Sequence, residues 1–168
     1  MIEIRVASAQ DAHLVTLTRR EVWEETYRGI YPDEMIDQYD YENRLATDIR
    51  LICSPHHRYF LFMDGAACAG YMSFGPYNYG IYKDFKLCLN NLYFRKSYQG
   101  MGLGKQAFQI LRDYAREHGF DKFFCGCNLH NLKAQGFYRH MGGIVGEISS
   151  GYQNKSDEII FFEFYVGE

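Results

Sequence analysis

The stretch Gln99-Gly100-Met101-Gly102-Leu103-Gly104 joins a predicted strand, Lys86 to Phe94, to an amphipathic helix predicted from Gly102 to His118. Alternate glycines permit positive φ angles and let the backbone approach a ligand closely. The N–H groups that open a helix then form a concave anion site, which the helix dipole and the charge of Lys105 reinforce. These features predict a phosphate-binding turn, and a glycine-rich connection without a ligand is the alternative.

Two nucleotide-binding motifs do not fit this turn. The Walker motif requires Gly at the position of Gln99 and Ser or Thr at that of Gln106. The dinucleotide fingerprint requires a third glycine where Lys105 stands. The turn therefore indicates a phosphate ligand without favouring a nucleoside triphosphate or NAD.

The segments around the turn predict a mixed α and β chain. Predicted strands cover Ile2 to Val6, Arg58 to Met63, Ala66 to Phe74, Lys86 to Phe94, Lys122 to Cys127, Gly146 to Tyr152 and Glu158 to Val166. Predicted helices cover the segment from Ser8 to Tyr27, a short segment from Pro32, and the segments Glu42 to Ile52, Gly102 to His118 and Asn131 to Met141. Strands clustered around two late helices predict the α+β class.

The predicted strand before the turn changes its alternation halfway along. Leu87 and Leu89 have one parity, whereas Leu92 and Phe94 have the other. One extra residue at Asn90-Asn91, a β-bulge, would keep both pairs on the same face. A central strand that is buried on both faces explains the pattern equally well. The sequence leaves these two interpretations open.

Composition excludes several classes of protein. The 168 residues suit one domain, 1–168, and a net charge of −3 gives no basic excess for binding nucleic acid. The first residues are unlike a signal peptide, and the apolar run from Ile159 to Val166 is interrupted by Glu163 and too short to span a membrane. We therefore expect a cytoplasmic protein with no nucleic-acid or membrane partner.

Cysteine usage favours reduced thiols over disulfides or metal ligands. The chain has five cysteines, an odd number, scattered through apolar segments. Cys125-Gly126-Cys127 with His130 lacks a fourth ligand at the spacing of a zinc site. On a strand the two cysteines share one face, so we expect core packing and no metal.

Two motifs together resemble one enzyme family. The segment Gln99 to Gly104 matches the Arg/Gln-x-x-Gly-x-Gly/Ala signature of the GNAT superfamily of acyl-CoA-dependent N-acetyltransferases. Downstream, Asn131-Leu132-Lys133-Ala134-Gln135-Gly136-Phe137-Tyr138 resembles the family's Asn-x-x-Ala-x-x-Phe-Tyr helix. The resemblance implies a GNAT-like fold, with a mixed, mostly antiparallel sheet of about six to seven strands, a splayed central strand and about four to five flanking helices.

The resemblance also implies acetyl-CoA as the co-substrate. The residues that it places at the CoA site are Leu92, Tyr93, Phe94, Gln99, Gly100, Met101, Gly102, Leu103, Gly104, Lys105, Asn131, Ala134 and Phe137. Asn131 also fits the N-cap of its own helix, and core packing is the favoured role of Phe137.

Tyr138 is the predicted catalytic residue, because the resemblance places its hydroxyl beside the CoA sulfur. A weak acid there is enough to protonate a leaving thiolate. The general base is not assigned: no carboxylate lies between Lys86 and Phe94, and His130 fits a loop residue. Three distant carboxylates, each favoured as a surface charge, are Asp84, Glu24 and Glu25.

The acceptor site is expected near the end of the first long helix, as in many bacterial members of the family. Aromatic residues available there are Trp23, Tyr27 and Tyr31, with Tyr77 and Tyr79 in a later loop. Core packing is the favoured role of Trp23. We expect a small primary amine as the acceptor, with a peptide N-terminus or lysine as alternatives, and a homodimer as one possible assembly. An acyl-CoA-binding sensor and a nucleotide-binding protein are the rival functions.

Overall fold

The computed structural model describes residues 1–77 and 82–167. Within these ranges the strands are β1 (Ile2–Val6), β2 (Arg58–Asp64), β3 (Ala67–Gly75), β4 (Cys88–Phe94), β5 (Lys122–Asn128), β6 (Ile144–Ser149) and β7 (Ile159–Tyr165). The α-helices are α1 (Ala12–Tyr27), α2 (Asp33–Asp37), α3 (Tyr41–Ile52), α4 (Leu103–Glu117) and α5 (Leu132–His140). The predicted mixture of strands and helices is confirmed. No helix of the described ranges is both long and apolar enough to cross a membrane.

All seven strands belong to one sheet, in the order β1-β2-β3-β4-β5-β7-β6. Every neighbouring pair is antiparallel except β4 and β5, which are parallel. A parallel pair needs a crossover connection, and α4 provides it. The exceptional pair therefore lies in the middle of the sheet, directly beside the glycine turn.

Alternation along the strands supplies two apolar faces. On β2, Phe62 faces the larger core, which includes Phe108 and Leu111 of α4. Its neighbour Leu61 faces a smaller core with Val15 of α1. Successive side chains of a strand point to opposite faces, so one strand serves both layers. Helices α4 and α5 consequently cover one side of the sheet, and α1 and α3 cover the other.

A buried ion pair fastens α1 to α3. The guanidinium of Arg19 donates to both carboxylate oxygens of Asp48, each at 2.8 Å, and its Nε donates to the hydroxyl of Tyr71 at 2.9 Å. The side chains of Arg19 and Asp48 are only 7% and 1% exposed. Thr16 donates a further hydrogen bond to Asp48. Each buried charge therefore has its partners, which a dry environment requires.

The strand predicted from Gly146 to Tyr152 begins earlier, as β6. Gly142 has a φ of +88°, the left-handed conformation that commonly terminates a helix, and it follows α5. Gly143 packs closely on β7, because a Cβ there would lie 2.8 Å from the Phe164 ring. The chain therefore passes directly from α5 into β6. Between Val145 and Ile148 the register shifts, and the hydroxyl of Tyr82 accepts the N–H of Glu147 at 2.9 Å. Sequence alternation did not reveal this side-chain insertion.

Candidate active site

A cleft opens where β4 and β5 separate. The two strands pair only at Cys88 and Phe124, although both continue well beyond that point. The resulting cavity has a volume of about 800 Å³ and is lined by β4, the end of β5, the glycine turn, α5 and the last turns of α1. This size suits a small-molecule ligand. The expected splayed central strand is therefore present.

The glycine turn forms one end of the cleft. Gly100 and Gly102 have φ angles of +79° and +78°, the left-handed region that glycine adopts without strain. The N-cap of α4 is Gly102, which has no side chain that could cap the helix. The first N–H groups of α4 are therefore available to an anion. The Gln99 side chain donates to the Phe94 carbonyl at 2.8 Å.

Most of the predicted turn residues line the cleft. Those that do are Gln99, Gly100, Gly102, Leu103, Gly104 and Lys105. Met101 does not, and it is 56% exposed. Lys96 and Lys133 add two further cations to the lining, and the Lys133 ammonium bonds the Gln99 side-chain carbonyl. The turn therefore combines free backbone donors with positive charge, as a pyrophosphate requires.

The bulge in β4 is real. Register with β3 passes from Ser73–Asn91 to Phe74–Leu89, so Asn90 is the extra residue. The structure thus decides between the two interpretations of the alternation in favour of the bulge. The side-chain oxygen of Asn90 is buried and has no hydrogen-bond partner among the described residues. Because buried acceptors are nearly always paired, this atom fits a ligand amide N–H.

Helix α5 brings the second motif to the opposite side of the cleft. The Asn131 side chain caps α5 by accepting the N–H of Ala134 at 3.1 Å, which confirms the capping role. Phe137 packs against the core and also lines the cleft. A Cβ on Gly104 would lie 2.8 Å from two atoms of the Phe137 ring, so glycine is needed for this close contact. Leu92, Tyr93, Phe94, Asn131 and Ala134 also line the cleft.

Tyr138 is only 8% exposed, yet it lines the cleft. Burial raises the pKa of its hydroxyl well above the ordinary value, and the neighbouring Cys125, Cys127, Tyr27 and Tyr93 raise the pKa further. A phenol in this environment stays protonated at every ordinary pH. It can donate a proton to a stronger base that forms beside it.

The cysteines of β5 behave as packing residues. Cys125 is fully buried in the core, and Cys127 is half-buried and lines the cleft. Burial raises the pKa of the Cys127 thiol to about 12, so the thiolate is disfavoured. In residues 1–77 and 82–167, no three His, Cys, Asp or Glu side chains are grouped so as to hold a metal ion.

The three aromatic residues predicted for the acceptor are packed together, but they reach the cleft unequally. Tyr27 is 7% exposed and lines the cleft, with its ring stacked on that of Tyr31 at a centroid distance of 4.3 Å. Trp23 contacts both rings edge-on and instead lines a separate depression of about 530 Å³ beside α2 and α3. Tyr77 is exposed outside the cleft lining. Tyr79 lies outside the described residues.

The candidate carboxylates are also distributed unequally. Glu24 is engaged by Arg28 at 2.7 Å, and Asp84 is exposed away from the cleft. Glu25 lines the cleft but accepts the backbone N–H of Lys96 at 3.0 Å. Through this hydrogen bond Glu25 links α1 to the segment that follows β4.

Sequence reasoning missed a hydrogen bond between a histidine and a carboxylate at the cleft. The Nε2 atom of His130 lies 2.5 Å from a carboxylate oxygen of Glu158. The antiparallel register of β5 and β7 pairs Asn128 with Ile159, which brings the adjoining residues together. His130 lines the cleft. The contact between His130 and Glu158 follows from the register of β5 and β7 and not from a sequence motif, because 28 residues separate the two side chains.

The sequence profile described as "Acetyltransferase (GNAT) family" matches residues 18–142. The match spans most of the chain and includes both motifs of the cleft. The chain therefore belongs to the GNAT acetyltransferase family, which uses CoA, and it is an acetyltransferase. A comparison with curated proteins gave no significant match.

Solved structures show the same fold. PaiA N-acetyltransferase from Thermoplasma acidophilum, determined in complex with coenzyme A, aligns with a TM-score of 0.75 at 22% identity, covering 98% of this chain and 99% of that one. YncA from Salmonella typhimurium, determined with acetyl-CoA, aligns with a TM-score of 0.70 at 21% identity, covering 99% and 95%. An aminoglycoside 6'-acetyltransferase aligns with a TM-score of 0.70 at 12% identity, covering 99% and 98%. The predicted GNAT-like fold is thereby confirmed.

Proposed function

We propose that this protein transfers an acetyl group from acetyl-CoA to a primary amine by direct attack in a ternary complex. The observation that carries the proposal is the bulged, splayed β4, which lines the same cleft as the glycine turn and Tyr138. Membership of the acetyltransferase family supports the reaction class.

The glycine turn would hold the pyrophosphate of acetyl-CoA. Gly102 presents the uncapped start of α4, and Lys105 and Lys133 lie in the same lining. Backbone N–H groups and ammonium groups together bind phosphate oxygens by charge-assisted hydrogen bonds. Met101, although part of the motif, would stay in solvent.

The pantetheine arm and the acetyl group would lie along β4. Beyond Cys88 this strand has no partner on the β5 side, so its edge can pair with an extended amide chain. The unpaired oxygen of Asn90 offers an acceptor for an amide N–H. Backbone N–H groups at the bulge would stabilise the negative charge that develops on the thioester oxygen.

Tyr138 would serve as the general acid. As the bond between the carbonyl carbon and sulfur breaks, the hydroxyl gives its proton to the departing thiolate. The raised pKa of Tyr138 keeps that proton in place until the thiolate forms. A proton lost from the attacking nitrogen then restores the phenol.

The acceptor would approach past Tyr27, from the side of α1. A small primary amine is the proposed acceptor, and a peptide amine is the alternative. We also propose that residues 1–168 form a single domain, that the protein is cytoplasmic and that it forms a homodimer.

A thiol-release assay with acetyl-CoA and a panel of amines tests the function. We expect CoA release with at least one small primary amine, at a rate that exceeds slow hydrolysis. Binding of acetyl-CoA without release for any acceptor would favour a sensor instead. Preferential binding of ATP would favour a nucleotide-binding protein.

The role of Tyr138 is tested by Tyr138→Phe. We expect turnover to fall by about 10²- to 10³-fold while acetyl-CoA binds within about twofold of wild type, because only the transferable proton is lost. Tyr165→Phe on β7 is the matched control, since Tyr165 is exposed outside the cleft lining. Equal turnover of Tyr138→Phe and wild type, with chemistry limiting, would contradict the acid role.

A further inference from the structure

His130 is held in a fixed orientation at the edge of the cleft. It follows β5 and precedes Asn131, the N-cap of α5. Its backbone N–H donates to the side chain of Asn128 at 2.9 Å, and Asn128 in turn donates to the Lys155 carbonyl. Both the backbone and the ring of His130 are therefore anchored.

The partner of the ring is a well-anchored carboxylate. Glu158 receives the His130 Nε2 hydrogen bond on one oxygen and the N–H of Gly151 on the other, at 2.8 Å. These two donors hold the pKa of Glu158 below its ordinary value, so the group is a carboxylate. The His130 side chain is 35% exposed and that of Glu158 only 14%. The carboxylate is thus sheltered, while the ring reaches the open cleft.

The geometry fixes which nitrogen is basic. A carboxylate that bonds Nε2 favours the tautomer with hydrogen on Nε2, which leaves the lone pair on Nδ1. No donor of residues 1–77 and 82–167 bonds His130 Nδ1. The same carboxylate stabilises the imidazolium that forms when Nδ1 takes up a proton.

The proposed acceptor side of the cleft includes this ring. Tyr27, His130, Asn131 and Tyr138 all line the same cleft. The imidazole and the general acid therefore border one cavity, which an amine passing Tyr27 would enter.

We propose that His130 is the general base of the acetyl transfer and that Glu158 is its positioning residue. This inference rests on the proposed function. The ammonium acceptor gives one proton to His130 Nδ1, and the neutral nitrogen then forms its bond to the carbonyl carbon. The carbon–sulfur bond breaks, Tyr138 protonates the thiolate, and the second nitrogen proton restores Tyr138. His130 releases its proton to solvent, so each turnover yields the amide, CoA and one proton.

The other candidates in the lining lack this arrangement. Glu25 is already occupied by the Lys96 N–H. His140 lies exposed on the last turn of α5, and no carboxylate of the described residues pairs with it. Glu25 keeps a second oxygen but is exposed to solvent, whereas His140 has no orienting carboxylate among the described residues. His130 combines an unbonded Nδ1 with an orienting carboxylate that is only 14% exposed.

Several charged or titratable groups line the same cleft as His130 or lie on the elements next to it, and they contribute to any pH profile. They are Lys155, Asp157 and Glu158 before β7, Glu25 and Tyr27 of α1, Tyr31 after α1, Cys127 of β5, and Tyr138, Arg139 and His140 of α5. The test therefore compares variants with one another across pH. It does not interpret the wild-type profile alone.

The experiment measures kcat/KM of wild type and His130→Gln with the best acceptor among ethanolamine, lysine amide and an alanine-terminated tripeptide. We expect a loss of about 10²- to 10³-fold at neutral pH, with acetyl-CoA affinity within about twofold of wild type. The deficit should shrink by about tenfold per pH unit toward alkaline pH, because the amine then loses its proton in solution. A merely structural defect would not be repaired in this way. His13→Gln on the exposed face of α1 is the matched control.

Glu158→Gln supplies a second, milder test. We expect about a tenfold loss, and we expect the acidic limb of the pH profile to move to lower pH because the imidazolium loses its counter-charge. If His130→Gln fails to fold or to bind acetyl-CoA, the shift of the acidic limb in Glu158→Gln becomes the test of whether His130 is the general base. An unchanged pH profile in both variants, with wild-type turnover intact, would overturn the base while leaving the acetyltransferase function standing. Absence of CoA release by wild type with every amine would overturn both proposals.

Discussion

The two sides of the cleft are built in different ways. The donor wall, residues 96–105 and 131–138, consists of contiguous motifs that present backbone N–H groups, glycines and lysines. The proposed acceptor wall consists of Tyr27 and His130, which line the cleft, and Glu158 is hydrogen-bonded to the His130 ring. These three residues come from separate parts of the chain. A wall made of backbone suits a ligand that never changes, whereas a wall made of side chains can be altered without disturbing it. The two walls should therefore respond differently to substitution.

The largest expected effect concerns the support of the acceptor wall. Asp48→Asn leaves the Arg19 guanidinium buried without its counter-charge, so we expect the free energy of unfolding to fall by about 3–5 kcal/mol. Urea denaturation measures this loss. Asp113→Asn is the matched control, because Asp113 pairs with Arg116 in solvent and such pairs contribute little.

If the walls are independent, folded Asp48→Asn protein should still bind acetyl-CoA with nearly wild-type affinity. Calorimetry well below the unfolding transition can measure that affinity. A large loss of acetyl-CoA binding in the folded variant would show that α1 also shapes the donor wall. The two walls would then not be independent.

A smaller effect is expected from the donor wall. Gly102→Val places a β-branched residue at a φ of +78°, where the left-handed conformation costs about 1–2 kcal/mol or more. Because the turn must change to relieve this strain, we expect acetyl-CoA affinity to fall by about 10- to 30-fold. Calorimetric titration with acetyl-CoA gives the number.

The control for Gly102→Val is Gly167→Val. A Cβ at either position meets nothing within 4 Å, but only Gly102 has a positive φ. The pair therefore separates backbone strain from bulk. Intact acetyl-CoA affinity in Gly102→Val would contradict the assignment of this turn to the pyrophosphate.

The two walls also differ in how far the sequence predicts them. The glycines at 100 and 102 and the Asn131–Tyr138 helix are local patterns whose spacing determines their geometry, so the turn and the Asn131 cap were predictable. The change of parity between Leu89 and Leu92 indicated a bulge but could not prove it, because a fully buried strand has the same pattern.

Tyr27 was predicted from the sequence, but the contact between His130 and Glu158 was not, because it depends on strand register. The pairing of β5 with β7 brings His130 to Glu158, and no spacing along the chain reports that contact. The separation of β4 from β5 likewise decides which residues reach the cleft. Trp23, about one turn before the end of α1, was also an acceptor candidate by sequence, although core packing was its favoured role; it contacts the Tyr27 ring edge-on and lines a separate depression.

The smallest predicted effect tests the acceptor wall directly. Tyr27→Phe keeps the ring, its burial and its stacking on Tyr31, but it removes a hydroxyl that could bond the amine in the cleft. A single hydrogen bond contributes about 0.5–1.5 kcal/mol, so we expect the KM of the amine to rise by about two- to tenfold. Acetyl-CoA affinity should stay within about twofold, because Asn131 still caps α5 through the N–H of Ala134.

Steady-state kinetics with each substrate varied in turn separates these two outcomes. Tyr41→Phe on α3 controls for the loss of a tyrosine hydroxyl, since Tyr41 is outside the cleft lining. If acetyl-CoA affinity falls in Tyr27→Phe while the KM of the amine is unchanged, Tyr27 belongs functionally to the donor wall. The boundary between the walls would then lie at Tyr27 itself, and His130, positioned by Glu158, would be the member of the acceptor wall that faces the amine.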